Sequence, residues 1–105
     1  MSKFKLAFGI HNHQPVGNFD HVFEFAHRNA YAPFLEALSR SGLSISLHQS
    51  GILWDWQEKH HPEYLQTVKT MVTQGRLELM TGGFYEPILI SIPERDVQGQ
   101  IKQLN

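Results

Sequence analysis

Residues 4–15, FKLAFGIHNHQP, join an apolar run of strand length to an abrupt polar end. Because successive side chains of a strand point to opposite faces, one face carries Ala7, Gly9, His11 and His13, and the other carries Leu6, Phe8 and Ile10. The small residues suit the crowded interior of a barrel, and the large apolar ones suit an outer face covered by helices. The stretch therefore predicts a first strand over Phe4–His13 that brings His11 and His13 together at its carboxyl end.

The rest of the chain alternates helices with two further strands. Asn18 or Asp20 is expected to cap a helix that Pro33 divides and Gly42 ends. The later elements are predicted in this order: a strand Leu43–His48, a helix Ile52–Lys59, a helix from Pro62 to Gly75, a strand Leu77–Thr81 and a helix opened by Pro93. Strands that alternate with amphipathic helices are typical of βαβ units and a parallel sheet.

Three such units do not complete a domain. A parallel sheet is normally covered on both faces, and a TIM-type barrel needs well over twice the length of this chain. We therefore predict an α/β fold that consists of the first three βα units of an incomplete TIM-like barrel with a parallel sheet. Residues 1–105 are expected to be the truncated N-terminal part of a single barrel domain, which requires the remainder of the barrel.

Apolar spacing predicts which helix faces are buried. The first helix carries Val22, Ala26, Ala30, Phe34 and Leu38 at a spacing of four. The helix after Pro62 carries Leu65, Val68, Met71 and Val72, and the last helix carries Val97, Ile101 and Leu104. Trp54 and Trp56 are expected to pack over the sheet, whereas solvent is expected to surround His21, His27, His60 and His61.

Polar side chains collect where the predicted strands end, which is where parallel α/β folds bind ligands. By alternation the second strand adds Ser46 and His48 to the histidine face, and the third adds Glu78, Met80 and Gly82. The side chains expected to converge are His11, His13, His48 and Glu78. The alternatives are a hydrogen-bonded histidine at a core edge and, for Glu78, an ordinary surface carboxylate. Histidines with a carboxylate suit either zinc or sugar hydroxyls, and their spacing does not choose between these ligands.

The loop after the third strand places aromatic side chains next to another carboxylate. Gly82 and Gly83 break the strand, and Phe84, Tyr85 and Glu86 follow them. Because aromatic faces suit the apolar faces of pyranose rings, this loop is a second candidate for contact with a sugar.

Composition excludes several classes of protein. The chain has no cysteine, which rules out disulfides and thiolate metal sites. Its formal net charge of −1 and its lack of a Lys/Arg run give no electrostatic basis for binding nucleic acid. The apolar start breaks at His11 without a cleavage site for a signal peptidase, and no stretch reaches membrane-spanning length. We predict a cytoplasmic protein with no membrane partner, no cofactor and no resident metal.

Several segments, in this order, resemble glycoside hydrolase family 57. The stretch His11–Asp20, HNHQPVGNFD, is similar to its first conserved segment, and Gly75–Met80, GRLELM, is similar to its second. The segments between and after them resemble the 4-α-glucanotransferase and α-amylase branch: SLHQSG at 46–51, HPEY at 61–64 and GGFYEPIL at 82–89. The likeness covers essentially the whole chain.

The resemblance implies a distorted (β/α)7 barrel that cleaves α-glucosidic bonds with retention. Retention requires two carboxyl groups about 5 Å apart. In the family these are a Glu nucleophile and an Asp acid/base in later segments that this sequence does not contain, so no catalytic residue is predicted and the chain is expected to be inactive alone. His11 and His13 match histidines that hydrogen-bond the sugar beside the scissile bond. Glu78 and Glu86 are substrate-site candidates, Glu78 with the better claim, and the expected substrate is an α-1,4-glucan or maltooligosaccharide.

Two other classes compete with this interpretation. One is a fragment of a zinc-dependent α-mannosidase or polysaccharide deacetylase on a similar incomplete barrel. Such enzymes normally supply an Asp beside the first-strand His, whereas Asn12 and His13 stand there in this sequence. The other is a non-catalytic sugar-binding module, against which stand the missing barrel closure and the uncovered second face of the sheet.

Overall fold

The computed structural model describes residues 3–105 and contains one parallel sheet in the order β1-β2-β3. Its strands are β1 (Gly9–Asn12), β2 (Ile45–Gln49) and β3 (Leu77–Leu79). The α-helices are α1 (Asp20–Ala26), α2 (Ala32–Ser41), α3 (Gly51–His60), α4 (Pro62–Thr73) and α5 (Glu94–Leu104). The predicted α/β class, the parallel pairing and the order of the elements are confirmed.

The first and third strands are shorter than the sequence predicts. β2 pairs with β1 only from Gly9–Ser46 to Asn12–Gln49, and with β3 only through three residues. Residues 3–7 have no ladder partner, since β2 begins at Ile45 and its pairing with the first strand starts where Ser46 N–H bonds to Phe8 C=O. An apolar run without a neighbouring strand has nothing to hold it in the sheet, so Phe4 and Leu6 are 98% and 88% exposed.

The predicted first helix continues through Pro33 without a break in the helical backbone, but one wider turn precedes this proline. A π-helical turn over His27–Tyr31 joins α1 to α2, and Ala32 N–H bonds to His27 C=O. Pro33 then occupies the first turn of α2, where its missing N–H costs no hydrogen bond. Phe19, rather than Asn18 or Asp20, is the N-cap of α1.

The wide turn changes which face of this helix is buried. The predicted stripe is wrong for Ala30 and Phe34, which are exposed, and correct for Leu38. The buried positions that it missed are Phe23, His27 and Leu35. The extra residue in a π turn rotates the apolar face relative to a regular 3.6-residue repeat.

The core lies on one face of the sheet, between the strands and helices α2 and α4. β2 buries Ile45, Leu47 and Gln49 on this side and turns Ser46 and His48 to the other, as the alternation predicts. The helices contribute Leu35, Leu38, Tyr64, Val68 and Met71 to it. Trp54 packs against this core and Trp56 is buried with Phe23 and Leu53, so both tryptophans pack as predicted.

The ends of the helices follow the sequence signals closely. Gly42 and Gly75, with φ of +75° and +70°, provide the left-handed residues that follow α2 and α4. Val97, Ile101 and Leu104 lie on the half-buried face of α5 as predicted, whereas Val72 of α4 is 40% exposed. Within residues 3–105, the helices are too short or too polar to cross a bilayer.

Candidate functional site

Four polar side chains meet beyond the carboxyl ends of the strands, and we call them the strand-end cluster: His11, His13, His48 and Glu86. His11 and His48 are register partners on β1 and β2, and their Nδ1 atoms lie 2.7 Å apart. The ring centroids are 4.8 Å apart with an interplanar angle of 23°. Because the facing nitrogens are much closer than the centroids, the rings meet by their nitrogen edges.

Glu86 ties the histidines together from the loop after β3. Its Oε1 lies 3.0 Å from His11 Nε2 and 3.7 Å from His48 Nδ1, and its Oε2 contacts His13 Nδ1. The backbone of Glu86 has φ of +55°, and its N–H donates to Gly83 C=O at 3.0 Å. A non-glycine residue in this left-handed region is uncommon and costs conformational energy, so the tight turn is part of what aims the carboxylate.

Two side-chain hydrogen bonds hold the cluster together. An ionised carboxylate only accepts, so His13 Nδ1 donates to Glu86 Oε2. Between His48 Nδ1 and His11 Nδ1, one ring donates and the other accepts. Burial, followed by the nearby His11, lowers the pKa of His48 and favours its neutral form. A neutral imidazole can fill either role in this hydrogen bond.

The loop that carries Glu86 also carries Phe84, whose buried ring packs against the start of α3. Phe84 is 4% exposed, and a Cβ on Gly51 would lie 2.2 Å from its ring, so only glycine fits at the start of α3. The sequence-based expectation that Phe84 could stack on a sugar is wrong, because its ring is used in packing. Tyr85 is 49% exposed, and its backbone N–H bonds to Gln100 Oε1 at 2.8 Å. The Tyr85 ring packs edge-on against Phe84, with centroids 4.7 Å apart, and lines the same cavity as His13 and Glu86.

Glu78 lies apart from these contacts. It is exposed on β3 opposite Ser46, and Ser46 Oγ donates to its Oε2 at 3.1 Å. It shares the face of His48, as predicted, but at the level of Gly9–Ser46, two residues before the histidine pair. The structure thus joins His11, His13, His48 and Glu86, and it gives Glu86 the direct histidine contacts that sequence reasoning had favoured for Glu78.

Buried amides support the site, and sequence reasoning missed them. Gln14 is 8% exposed, accepts from Asn18 and donates to Tyr31 Oη at 2.9 Å, and Tyr31 donates to His13 C=O. Gln49 is fully buried, accepts from Asn12 at 2.9 Å and donates to Gln57 at 2.8 Å. The sequence signal that could have revealed these amides is the position of Gln49, a polar residue on the apolar face of β2.

A second group, the helix cluster, consists of Glu24, His27, His61 and Glu63. His27 is 3% exposed, and the rings of His27 and His61 stack with centroids 3.9 Å apart and an angle of 17°. The expectation of solvated histidines is therefore wrong for His27 and His61, and it is confirmed for His21 and His60, which are exposed. Helical periodicity failed for His27 because of the π turn.

Charge is divided unequally between the two stacked rings. His61 donates from Nδ1 to Glu63 at 2.9 Å and from Nε2 to Glu24 at 2.7 Å, which requires an imidazolium. Burial lowers the pKa of His61, but hydrogen bonds to Glu24 and Glu63 outweigh it and leave the pKa above its usual value. Burial and the neighbouring His61 charge lower the pKa of His27, whose Nδ1 accepts from Gln57 Nε2 at 3.3 Å. The helix cluster is thus a closed ion-pair network.

Comparisons with known proteins match the sequence and the fold of this chain. The family model described as Glycosyl hydrolase family 57 matches residues 7–105. An α-amylase of Pyrococcus horikoshii is 45% identical over 97% of this chain, and a 4-α-glucanotransferase of Thermococcus litoralis is 43% identical over 99% of it. The crystal structure of the Thermococcus litoralis 4-α-glucanotransferase superimposes with a TM-score of 0.90 at 44% identity over 93% of the chain. The chain spans 16% of the length of each of these relatives. With the family model covering nearly every residue and close relatives along the whole chain, this protein belongs to glycosyl hydrolase family 57.

Proposed function

We propose that this chain is part of an enzyme that acts on α-1,4-glucans, either a 4-α-glucanotransferase or an α-amylase, and that the strand-end cluster binds a glucosyl unit. The relatives bear these two names and match the chain from end to end. The observation that carries the proposal is the convergence of three histidines and Glu86 at the carboxyl ends of parallel strands, which is where such folds bind ligands.

The chemistry of the cluster suits sugar hydroxyls. A hydroxyl donates one hydrogen bond and accepts others, so it needs donors and acceptors side by side. His48 presents Nε2 on the side of Gly82, where an added Cβ would lie 3.4 Å away, and an imidazole nitrogen donates or accepts according to its tautomer. The side chains of His11 and His13 are 47% and 48% exposed, so a ligand can reach them.

In this proposal the cluster binds and orients, while other segments supply the bond cleavage. The nucleophile and acid/base of a retaining enzyme are a separate carboxyl pair. The hydrogen bonds of His11 and His13 to the sugar would strengthen as positive charge develops on its ring. They would therefore stabilise the transition state more than the ground state. Residues 1–105 then form part of one barrel domain, and the high exposure of Phe4 and Leu6 is consistent with an outer face that helices cover in the whole enzyme. The cytoplasmic location stays a prediction from the sequence.

A chimeric enzyme tests the proposed function. This chain replaces the matched segment of the Thermococcus litoralis 4-α-glucanotransferase, to which it superimposes with a TM-score of 0.90. We expect turnover of maltooligosaccharide, and we expect His11→Ala or His13→Ala to reduce kcat on the order of 100-fold, as loss of a transition-state hydrogen bond does, with a smaller change in KM.

His61→Gln in the same chimera is the matched control, because it changes a histidine that bonds to two carboxylates away from the strand ends. It should leave kcat and KM within twofold of the parent chimera, roughly the scatter of such measurements. A folded chimera without turnover, or unchanged kcat in both strand-end variants, would contradict the proposal.

A further inference from the structure

We propose that the strand-end cluster is also a binding site for a divalent transition-metal ion, for which Zn²⁺ is the probe, held by His11, His48 and Glu86. The ion would be an exchangeable ligand of the cluster, not a resident cofactor. One ligand atom from each of these three residues lies within 4.8 Å of the other two. Imidazole nitrogens with a carboxylate oxygen are the donor set that zinc takes in open, three-ligand sites.

The separations from His48 to the other two residues suit such an ion after small movements. With metal–ligand distances of about 2.0–2.1 Å, tetrahedral ligand atoms lie roughly 3.3 Å apart. His48 Nδ1 lies 2.7 Å from His11 Nδ1 and 3.7 Å from Glu86 Oε1, which brackets that value. The ligand atoms of His11 and Glu86 lie within 4.8 Å of each other. The contact of His13 Nδ1 with the other carboxylate oxygen would orient Glu86 from the outer shell.

The donor chemistry also favours the ion. Metal ligands must present a lone pair, and one of the two facing Nδ1 atoms of His11 and His48 already does so, because it accepts the hydrogen bond between them. A neutral imidazole can carry its proton on the other ring nitrogen, which for His48 is Nε2 on the side of Gly82. The single negative charge of Glu86 attracts a cation, and coordination replaces the hydrogen bond between the two histidines.

The helix cluster provides an internal contrast. His27, His61 and Glu63 also offer three donor atoms within 4.8 Å. However, the rings of His27 and His61 are stacked face to face at 3.9 Å, so their in-plane lone pairs run parallel and do not converge on one ion. Both nitrogens of His61 are protonated and bonded to carboxylates. The same residue types therefore select a metal at one cluster and exclude it at the other.

Zinc and sugar should exclude each other at the strand ends, a consequence that rests on the proposed function. Both ligands need the edges of His11 and His48. A bound ion would occupy the nitrogen lone pairs that the sugar hydroxyls use, so Zn²⁺ is expected to inhibit the whole enzyme competitively.

The test is a titration of the chimeric enzyme with Zn²⁺ against a chromogenic chelator, with folding of each variant checked by circular dichroism. We expect the chimera to bind one Zn²⁺ ion that depends on the strand-end cluster. Separate His48→Gln and Glu86→Gln variants should each weaken binding by more than about 100-fold, beyond the loss that follows removal of an outer-shell partner. His61→Gln, the control, should bind Zn²⁺ as the parent does.

Binding that survives in both strand-end variants, or that disappears in His61→Gln, would overturn the proposal, as would the absence of binding by the folded chimera. Adding maltooligosaccharide separates it from the proposed function. If the chimera binds Zn²⁺ with these variant effects but the sugar does not weaken that binding, the metal site stands and the sugar site at this cluster fails.

Discussion

The two histidine clusters contain similar residue types but differ in how the rings meet and how the charges are paired. In the strand-end cluster, imidazole edges face each other and share one carboxylate, and two of the three histidines are about half exposed. In the helix cluster, the rings stack, two carboxylates neutralise one imidazolium, and His27 is buried. The first arrangement keeps open nitrogen positions for a ligand, and the second uses its polar groups to join α1 to the start of α4.

A buried chain of amides connects these two regions. Asn12, between His11 and His13, bonds to Gln49, which bonds to Gln57, which bonds to His27. Tyr64 Oη also donates to Gln49 at 2.9 Å. Each of these groups is satisfied only while its neighbours stay in place, so the chain of hydrogen bonds ties His27 to Asn12 at the end of β1.

The largest expected difference between the clusters is in folding stability. His27→Ala should lower the free energy of unfolding by about 2–4 kcal/mol, because it leaves a cavity and removes the acceptor of the buried Gln57 amide. His48→Ala removes one hydrogen bond at a partly exposed site and should cost roughly 1 kcal/mol. Urea unfolding followed by circular dichroism measures both, and equal costs would erase the distinction between a structural and a ligand-facing histidine.

A smaller difference, in kcat, is expected between substitutions of Glu86 and of Glu78. In the chimera, Glu86→Gln is expected to lower kcat on the order of tenfold, because an NH2 donor replaces one of the two carboxylate oxygens, which face His11 and His13 separately. Glu78→Gln should have a weaker effect, since its amide oxygen still accepts from Ser46 Oγ.

The control for this pair is Glu63→Gln, a change in the helix cluster that should leave kcat unaltered. A larger loss in Glu78→Gln than in Glu86→Gln would restore the order that the sequence suggested and contradict the role inferred for Glu86.

The smallest expected effect is a pH dependence confined to the helix cluster. The groups around His61 are Glu24, Arg28 and His27 of the first helix and Glu63 of α4. Because the pKa of His61 is raised in the folded state, its stabilisation is complete below about pH 6.5 and is lost as the pH rises through the raised value. The lowered pKa values of Glu24 and Glu63 act at the acidic end, where protonation removes their contribution.

We therefore expect the Tm difference between the parent and His61→Gln to be largest between about pH 5 and 6.5 and to shrink above pH 7. The difference should be a few degrees at most, because the pair with Glu63 is largely exposed. Thermal melts at several pH values, with His21→Gln as the exposed control, measure it. A Tm difference that grows towards alkaline pH would contradict an imidazolium at His61.

The family and most of the fold followed from local sequence patterns. Alternation along β2 predicted that Ile45 and Leu47 are buried and that Ser46 and His48 face the other way. The prolines correctly marked the first turns of α2 and α4, and the glycines correctly marked the residues that follow these helices: Pro33, Pro62, Gly42 and Gly75. These signals worked because the backbone preferences of proline and glycine act within one turn of the chain.

The errors arose where residues far apart in sequence decide the outcome. The predicted first strand was too long because strand length is set by its partner, β2. The contacts of Glu86 with the histidines were missed because alternation fixes the face of a side chain, whereas the reach of Glu86 depends on the loop turn at this residue with φ of +55°. His27 was assigned to solvent because a π turn is not visible in a pattern of period 3.6.

The sequence by itself determined the parallel α/β order, the face on which His11, His13 and His48 lie, and the family, since all three depend on local periodicity and contiguous motifs. Only the tertiary structure decided that Glu86 completes the strand-end cluster, that His27 and His61 form a closed stack, and that Gln14, Gln49 and Gln57 are buried. Those outcomes depend largely on pairing between side chains far apart in the chain, up to the 75 positions that separate His11 from Glu86. Such pairs form only when helix packing and sheet register bring them within hydrogen-bond distance, which no local pattern encodes.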